Sequence, residues 1–233
     1  TTTTMSLKWY CAPDSWTKNN QDDHTSVEGT SGTWHVDNDS GMLTIYPAAQ
    51  KDFWQKTHYD PLLIKDDGAI LYATLKSHQH YTLETTFQLL AVSQFDQAGL
   101  MVRLDEHHWI KTGIEVVDQM ARLSCVVTNH GYSDWSTQSW PSVPVDENQE
   151  GDVRQVDCQI RLHCRGTNFV VQVWNSNQEW EFVRIAHMSH ADSHQATFRA
   201  GVFACCPVAQ KGGHVNFTSF QLQKGSHFHH DAN

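Results

Sequence analysis

Charge is scarce in this chain. Of 233 residues only 18% are Asp, Glu, Lys or Arg, and the basic share is the smaller, 16 against 26 acidic, for a formal net charge of −10. No basic block of the kind that tracks a phosphate backbone is present, which argues against nucleic acid or an anionic membrane as partner. No run approaches the ~20 apolar residues that cross a bilayer, and the opening Thr1–Trp9 stretch has no apolar signal-peptide core. A soluble, cytoplasmic protein is therefore expected. The six cysteines show no zinc-knuckle spacing. Cys205 and Cys206 are adjacent, which suits neither an ordinary disulfide nor a tetrahedral clamp. A chain this long needs no covalent staples, so Cys125, Cys158 and Cys164, set in apolar alternations, read as small buried hydrophobes. His187-x-x-His190-x-x-x-His194 would gather three rings only on a helix, and no helix signal accompanies it. No metal site and no cofactor are expected. There is no G-x-S-x-G elbow, phosphate loop, dinucleotide fingerprint or H-E-x-x-H.

Long helical periodicity is also missing, and period-two alternation takes its place from about residue 33 to 223. Trp34, Val36 and Met42–Tyr46 flank Asp37-Asn38-Asp39-Ser40-Gly41, a hairpin turn of residues that tolerate positive φ. Further strands are expected over 70–75, 81–90, 98–104, 109–117, 122–128, 153–164, 168–175, 180–185, 197–204 and 214–223. Ala98, Leu100, Val102 and Leu104 share one face. So do Ile110, Thr112, Ile114 and Val116, then Leu123, Cys125 and Val127, and then Val156, Cys158, Ile160 and Leu162. About a dozen short strands with turns between them predict an all-β protein, an antiparallel β-sandwich of the jelly-roll kind. One domain is expected over 30–223. An N-terminal segment, 1–29, is expected to be partly loose and a tail, 224–233, flexible. The Pro- and acid-rich stretch 141–151 is a rim loop or lid.

The opposite face of the strands 98–104 and 109–117 carries Gly99, Met101, Arg103, Trp109, Lys111, Gly113 and Glu115. Two readings stand: a solvated face with a cross-strand Lys–Glu pair, or a binding surface whose glycines admit close approach to the backbone. Gly131-Tyr132-Ser133-Asp134-Trp135-Ser136 reads as a loop beside that face, with Asp134 and Trp135 either binding a ligand or capping the sheet end. Phe53-Trp54-Gln55-Lys56-Thr57-His58-Tyr59-Asp60-Pro61 is aromatic and aperiodic. It either covers the core or rims the same groove. A retaining glycosidase needs two carboxylates ~5–5.5 Å apart on one face. Only Glu115 is offered there, so hydrolysis is disfavoured, while an acid–base role for Glu115, His58 and Lys111 on a sugar stays open.

Four runs in order, Asp52–Tyr59, Phe95–Arg103, Trp109–Glu115 and Ser133–Ser136, together with Cys206-Pro207 before the last strand, resemble the family of unknown function that includes the yeast regulator of enolase. The resemblance covers about residues 30–223 and implies a concanavalin A-like lectin/glucanase sandwich. It hands down no catalytic set. By position it singles out Trp54, His58, Gln97, Arg103, Trp109, Lys111, Glu115, Asp134 and Trp135 as ligand-binding candidates. The expected function is binding of a small carbohydrate or sugar derivative on the concave sheet face. The alternatives are a sugar-active hydrolase, isomerase or lyase, and an interaction module that regulates a metabolic enzyme as its partner.

Overall fold

The computed structural model describes residues 6–17, 32–144, 154–189, 196–208, 212–226 and 228–230. In chain order its strands are β1 (Lys8–Tyr10), β2 (Thr33–Val36), β3 (Leu43–Tyr46), β4 (Phe53–Gln55), β5 (Ile64–Asp66), β6 (Ala69–Lys76), β7 (His80–Ala91), β8 (Gln97–Asp105) and β9 (His108–Val117). There follow β10 (Met120–Asn129), β11 (Tyr132–Ser139), β12 (Val143–Pro144), β13 (Arg154–Arg165), β14 (Asn168–Trp174), β15 (Trp180–His187), β16 (Thr197–Cys205) and β17 (His214–Lys224). Among the described residues the only helical element is a 3₁₀ turn, Pro13–Thr17, and no helix is long and apolar enough to cross a membrane.

Two antiparallel sheets stack on one another. One runs β1-β6-β16-β8-β9-β10-β11 and the other β15-β14-β13-β7-β17-β3-β2, with β12 added beside β13. The all-β sandwich read from the alternation is the observed architecture. Ala98, Leu100, Val102, Ile110, Ile114, Val116, Leu123, Cys125, Val127, Val156, Cys158, Ile160, Leu162, Phe169, Val171 and Val173 all enter the inter-sheet core. Thr112, on the same face, satisfies its hydroxyl on the Ser124 carbonyl at 3.0 Å, as a buried polar group must.

Turn chemistry fixes the register of the strands that carry the site. Asp118 and Gln119 between β9 and β10 have φ of 50° and 63°, and His130 and Gly131 between β10 and β11 have 53° and 74°. Two successive positive φ values make the tight hairpin whose twist matches that of its strands. The second turn corrects one expectation. Residues 132–136 are not a loop but the first half of β11, paired with β10 from Asn129↔Tyr132 to Arg122↔Ser139.

Described residues on either side of 30–223 also pack on the sandwich. Lys8–Tyr10 pairs with β6, so residues ahead of 30 contribute an edge strand. Phe228, only 9% exposed, packs on Phe182 and His163 at 6.0 and 5.9 Å between ring centres. Most of the expected rim loop at 141–151 lies outside the described residues.

Candidate functional site

The outward face of the β8–β9–β10 region is roofed. Between β3 and β6, which belong to opposite sheets, the chain makes the two-stranded β4–β5 ribbon. The ribbon lies over Met101, Trp109, Val126, Ile70, Phe203 and Cys205, and inserts Phe53 and Trp54 into a second, smaller apolar cluster. Full burial of a side chain such as Phe53 stabilises by about 2–3 kcal/mol.

Polar contacts pin the ribbon at three places. Arg103 donates from Nε and Nη2 to the two carboxylate oxygens of Asp66 at 3.1 and 2.6 Å, a planar two-bond match. The Tyr10 hydroxyl adds a bond to Asp66 Oδ2 at 2.7 Å, and the Arg103 guanidinium sits 4.5 Å from the Tyr10 ring centre. Lys111 Nζ donates to Asp52 Oδ1 at 2.9 Å. On the far side the Gln55 amide donates to Ser133 Oγ at 3.0 Å.

The roof leaves a cavity of about 230 Å³ at its β11 end. Trp54, Tyr59, Phe95 and Trp135 wall it, with Leu63, Val126, Pro207 and Val208 beside them and Asp52, Lys65, Lys111 and Glu115 supplying charge. The rings form a chain of edge-to-face contacts. Tyr59 to Trp54 is 5.4 Å, Trp54 to Trp135 is 6.1 Å and Trp135 to Phe95 is 6.4 Å between centres. Both indole N–H groups are used locally, Trp54 on the Thr57 carbonyl at 3.0 Å and Trp135 on Ser124 Oγ at 2.9 Å. The two rings are thereby fixed in orientation. Phe95 is held by its backbone in the left-handed region, φ 66°. Next to it, Asp96 accepts from the amides of Val92, Ser93 and Gly213. Left-handed backbone at a non-glycine costs free energy and persists only where its surroundings impose it.

The charged floor is a connected network. Asp52 Oδ1 accepts from Lys111, from Gln97 Nε2 at 3.2 Å and from the Phe53 amide at 2.7 Å. Gln97 reaches on to Glu115 Oε1 at 3.4 Å, and Ser124 donates to Glu115 Oε2 at 2.8 Å. Burial pushes the Glu115 carboxyl up to about 7; Asp52 adds to the rise, while Lys111 and the Ser124 bond oppose it. For Lys111 burial alone would lower the ammonium, but Asp52 and then Glu115 outweigh it and hold the group above the ordinary lysine value. Burial, with Glu115 and Asp52, also raises the Tyr59 phenol. The floor thus holds a fixed cation beside a carboxylate that changes charge near neutrality.

Four of the candidates read from sequence meet here: Trp54, Lys111 and Glu115 line the cavity with Trp135. Gln97 is buried one layer behind and orients Asp52 and Glu115. The remaining four do not reach it. Trp109 is fully buried with Phe53 edge-on at 6.1 Å, so no ligand reaches its face. Arg103, 5% exposed, is committed to Asp66. His58 is exposed, has a positive φ of 76°, and touches the cavity lining through Tyr59. Asp134 points away from Ser133 and Trp135, as alternation along β11 requires, and pairs with Arg184 at 2.8 Å. The glycines also act differently from expectation. A Cβ on Gly113 would lie 2.0 Å from the Ala98 carbonyl oxygen, and one on Gly99 2.1 Å from that of Thr112. They let β8 and β9 approach each other, not a ligand.

Sequence reasoning missed Asp52, Tyr59 and Phe95. Each stands at the end of one of the sequence runs quoted above. A lysine on a face shared with Met101 and Trp109 needs a counter-ion, but spacing does not say which acidic residue supplies it. Among the described residues no group of three or more His, Cys, Asp or Glu is placed to hold a metal. Of the His187 triplet, His190 and His194 lie outside the described residues.

Comparison with known proteins agrees with the geometry of the fold. The chain is 32% identical over 203 residues to a Saccharomyces cerevisiae protein named Regulation of enolase protein 1, covering 84% of this chain and 91% of that protein. A crystal structure of a functionally unknown protein from Saccharomyces cerevisiae superposes with a TM-score of 0.66 at 31% identity, over 84% of this chain and 97% of that one. A GH43 protein from Bacillus licheniformis, the BlXynB K247S mutant, superposes with a TM-score of 0.60 at 9% identity, over 83% of this chain and 35% of that one. At such low identity the last likeness shows the fold alone, that of an antiparallel β-sandwich. A family model described as "Protein of unknown function (DUF1349)" matches residues 29–225, and the chain belongs to that family.

Proposed function

We propose that this protein binds a small carbohydrate or sugar derivative in the roofed cavity, without catalysing its conversion. The observation that carries the reading is the union of four aromatic rings with a buried Lys–Asp–Glu floor in one cavity. Aromatic faces stack on the C–H face of a sugar ring, and a few convergent charged groups take its hydroxyls. An acid–base role for His58 loses its support, since His58 does not line the cavity. The Glu115 carboxylate oxygens meet a serine and a glutamine, not a second titrating group in direct contact. A cytoplasmic location goes with this reading. It is supported by six cysteines that carry thiols and not disulfides.

The test is a thermal-shift and calorimetric screen of mono- and oligosaccharides against wild type, Tyr59→Ala and Trp135→Ala. A ligand at 100 times its Kd stabilises the folded state by about 2.7 kcal/mol, and both variants should lose that gain. No shift with any saccharide, or shifts unchanged in both variants, would overturn the proposal.

A second reading, regulation of a metabolic enzyme, is favoured by the name of the yeast relative. Enolase assayed with and without this protein tests it. An unchanged rate at saturating protein would remove that support.

A further inference from the structure

The donor and acceptor pattern of the floor says more about the ligand than its class. Lys111 Nζ carries three N–H donors. One goes to Asp52 Oδ1 at 2.9 Å, and the side chain is only 4% exposed. No second hydrogen-bond acceptor for Nζ is found among the described residues, and the Trp109 ring lies 5.8 Å away. Two donors therefore remain for oxygen atoms of a ligand. Asp52 and Glu115 stand beside them as acceptors. Asp52 Oδ2 is engaged by none of the described side chains, the three bonds to this carboxylate all falling on Oδ1.

An ammonium flanked by carboxylates suits a group that accepts from one neighbour and donates to the next. A hydroxyl does both, and two adjacent hydroxyls match the Lys111–Asp52 pair. A phosphate or carboxylate ligand only accepts. Above about pH 7, where Glu115 has lost its proton, such a ligand would place its charge against two carboxylates in a water-poor site, where like charges are costly. The charges lining the cavity cancel when Glu115 is ionised: Lys65 and Lys111 against Asp52 and Glu115. Lys65 Nζ gives one bond to the Gln50 carbonyl at 3.1 Å in a solvent-exposed contact, where water and salt screen its remaining pull on an anion. At about 230 Å³ the cavity falls below the ~300–1,000 Å³ of sites for drug-sized ligands.

We infer that the cavity takes a single uncharged polyhydroxylated ring and discriminates against its phosphate ester, its uronic acid and longer saccharides. This rests on the carbohydrate reading above and narrows it.

The test titrates wild-type protein calorimetrically at pH 8, where Glu115 is ionised, with neutral monosaccharides and inositol. Each neutral monosaccharide is run beside its phosphate ester and uronic acid, with cellobiose and xylobiose as two-ring probes. The neutral single ring that binds should do so at least tenfold more tightly than its charged counterparts, and no more weakly than the disaccharide containing it. An ester or acid that binds more tightly would overturn the inference and leave the carbohydrate reading standing, as would a disaccharide tighter by tenfold or more. Absence of binding by every probe would overturn both. Asp52→Asn offers an independent readout, since removing one carboxylate should narrow the gap between a neutral sugar and its phosphate. An unchanged gap in a folded variant counts against the inference.

Discussion

Replacing Glu115 by glutamine should change how stability depends on pH. In the fold the Glu115 carboxyl keeps its proton to about 7, against an ordinary value of 4.5. Between those values the folded protein binds more protons than the unfolded chain. Its contribution is fully present below pH 4.5 and is lost as pH rises through about 7. At about 1.36 kcal/mol per unit, the loss amounts to about 3 kcal/mol. The glutamine of the Glu115→Gln variant has no such proton, keeps the shape, and can still accept from Ser124. Lys111, held above its ordinary value, stays charged throughout this window, and the histidines are common to both proteins. Urea unfolding followed by tryptophan fluorescence, from pH 4.5 to 8, therefore isolates Glu115 in the difference between wild type and Glu115→Gln. Wild type should lose about 3 kcal/mol relative to the variant over that range, most of it below pH 7. A flat difference, or one in which wild type gains as pH rises, would refute the assignment of Glu115 as a carboxyl buried in a water-poor floor.

Three further outcomes are expected. Arg103→Met should cost about 2–3 kcal/mol, the worth of hydrogen bonds to a charged partner. In a double-mutant cycle with Asp66→Asn, measured by urea unfolding, the two losses should add to more than the double variant shows; strict additivity would mean that the pair does not hold the ribbon. Gly113→Ala should abolish the soluble fold or lower its melting temperature sharply, because the new methyl meets the Ala98 carbonyl oxygen at 2.0 Å; a scan on purified protein, with Gly41→Ala as a turn control, decides it. Native protein should react with Ellman's reagent only at Cys11, and there slowly, because burial and then Asp66 and Asp67 raise its thiol, while Cys125, Cys158, Cys164, Cys205 and Cys206 are buried. All six should react in guanidinium, and rapid native labelling of Cys205 or Cys206 would contradict the roofed face.

The strands are legible because one face of each is buried and side chains alternate with period two. That rule alone sends Ile110, Ile114 and Val116 inward and Trp109, Lys111 and Glu115 to the other side. It does not say what covers the other side. The ribbon strands are three residues each, too short to show a period. The ion pairs that seat them join residues 59 and 37 positions apart, and nothing local announces such pairs. Trp109 and Arg103 therefore read as an open binding face when they are the underside of a roof. Asp134 departs from expectation for a local reason. His130-Gly131 begins a tight hairpin, and once β11 is a strand, alternation separates Asp134 from Trp135. His58 reads as a rim residue with Tyr59, but it packs edge-on to the Tyr59 ring from the exposed side and does not line the cavity.

The ribbon is also the piece of chain that carries the backbone from one sheet to the other, between β3 and β6. A sandwich must make such a crossing somewhere. Here the crossing supplies Asp52, Trp54, Tyr59, Leu63 and Lys65 to the cavity, while the sheets supply mainly the floor. Much of the cavity wall is therefore written in a connecting segment whose strands pair with each other. Residues 52–65 should be exchangeable as a cassette wherever the Asp66–Arg103 clasp and the Phe53 plug are kept. New ligand preferences would then be reachable by grafting that segment, with the sandwich core left intact.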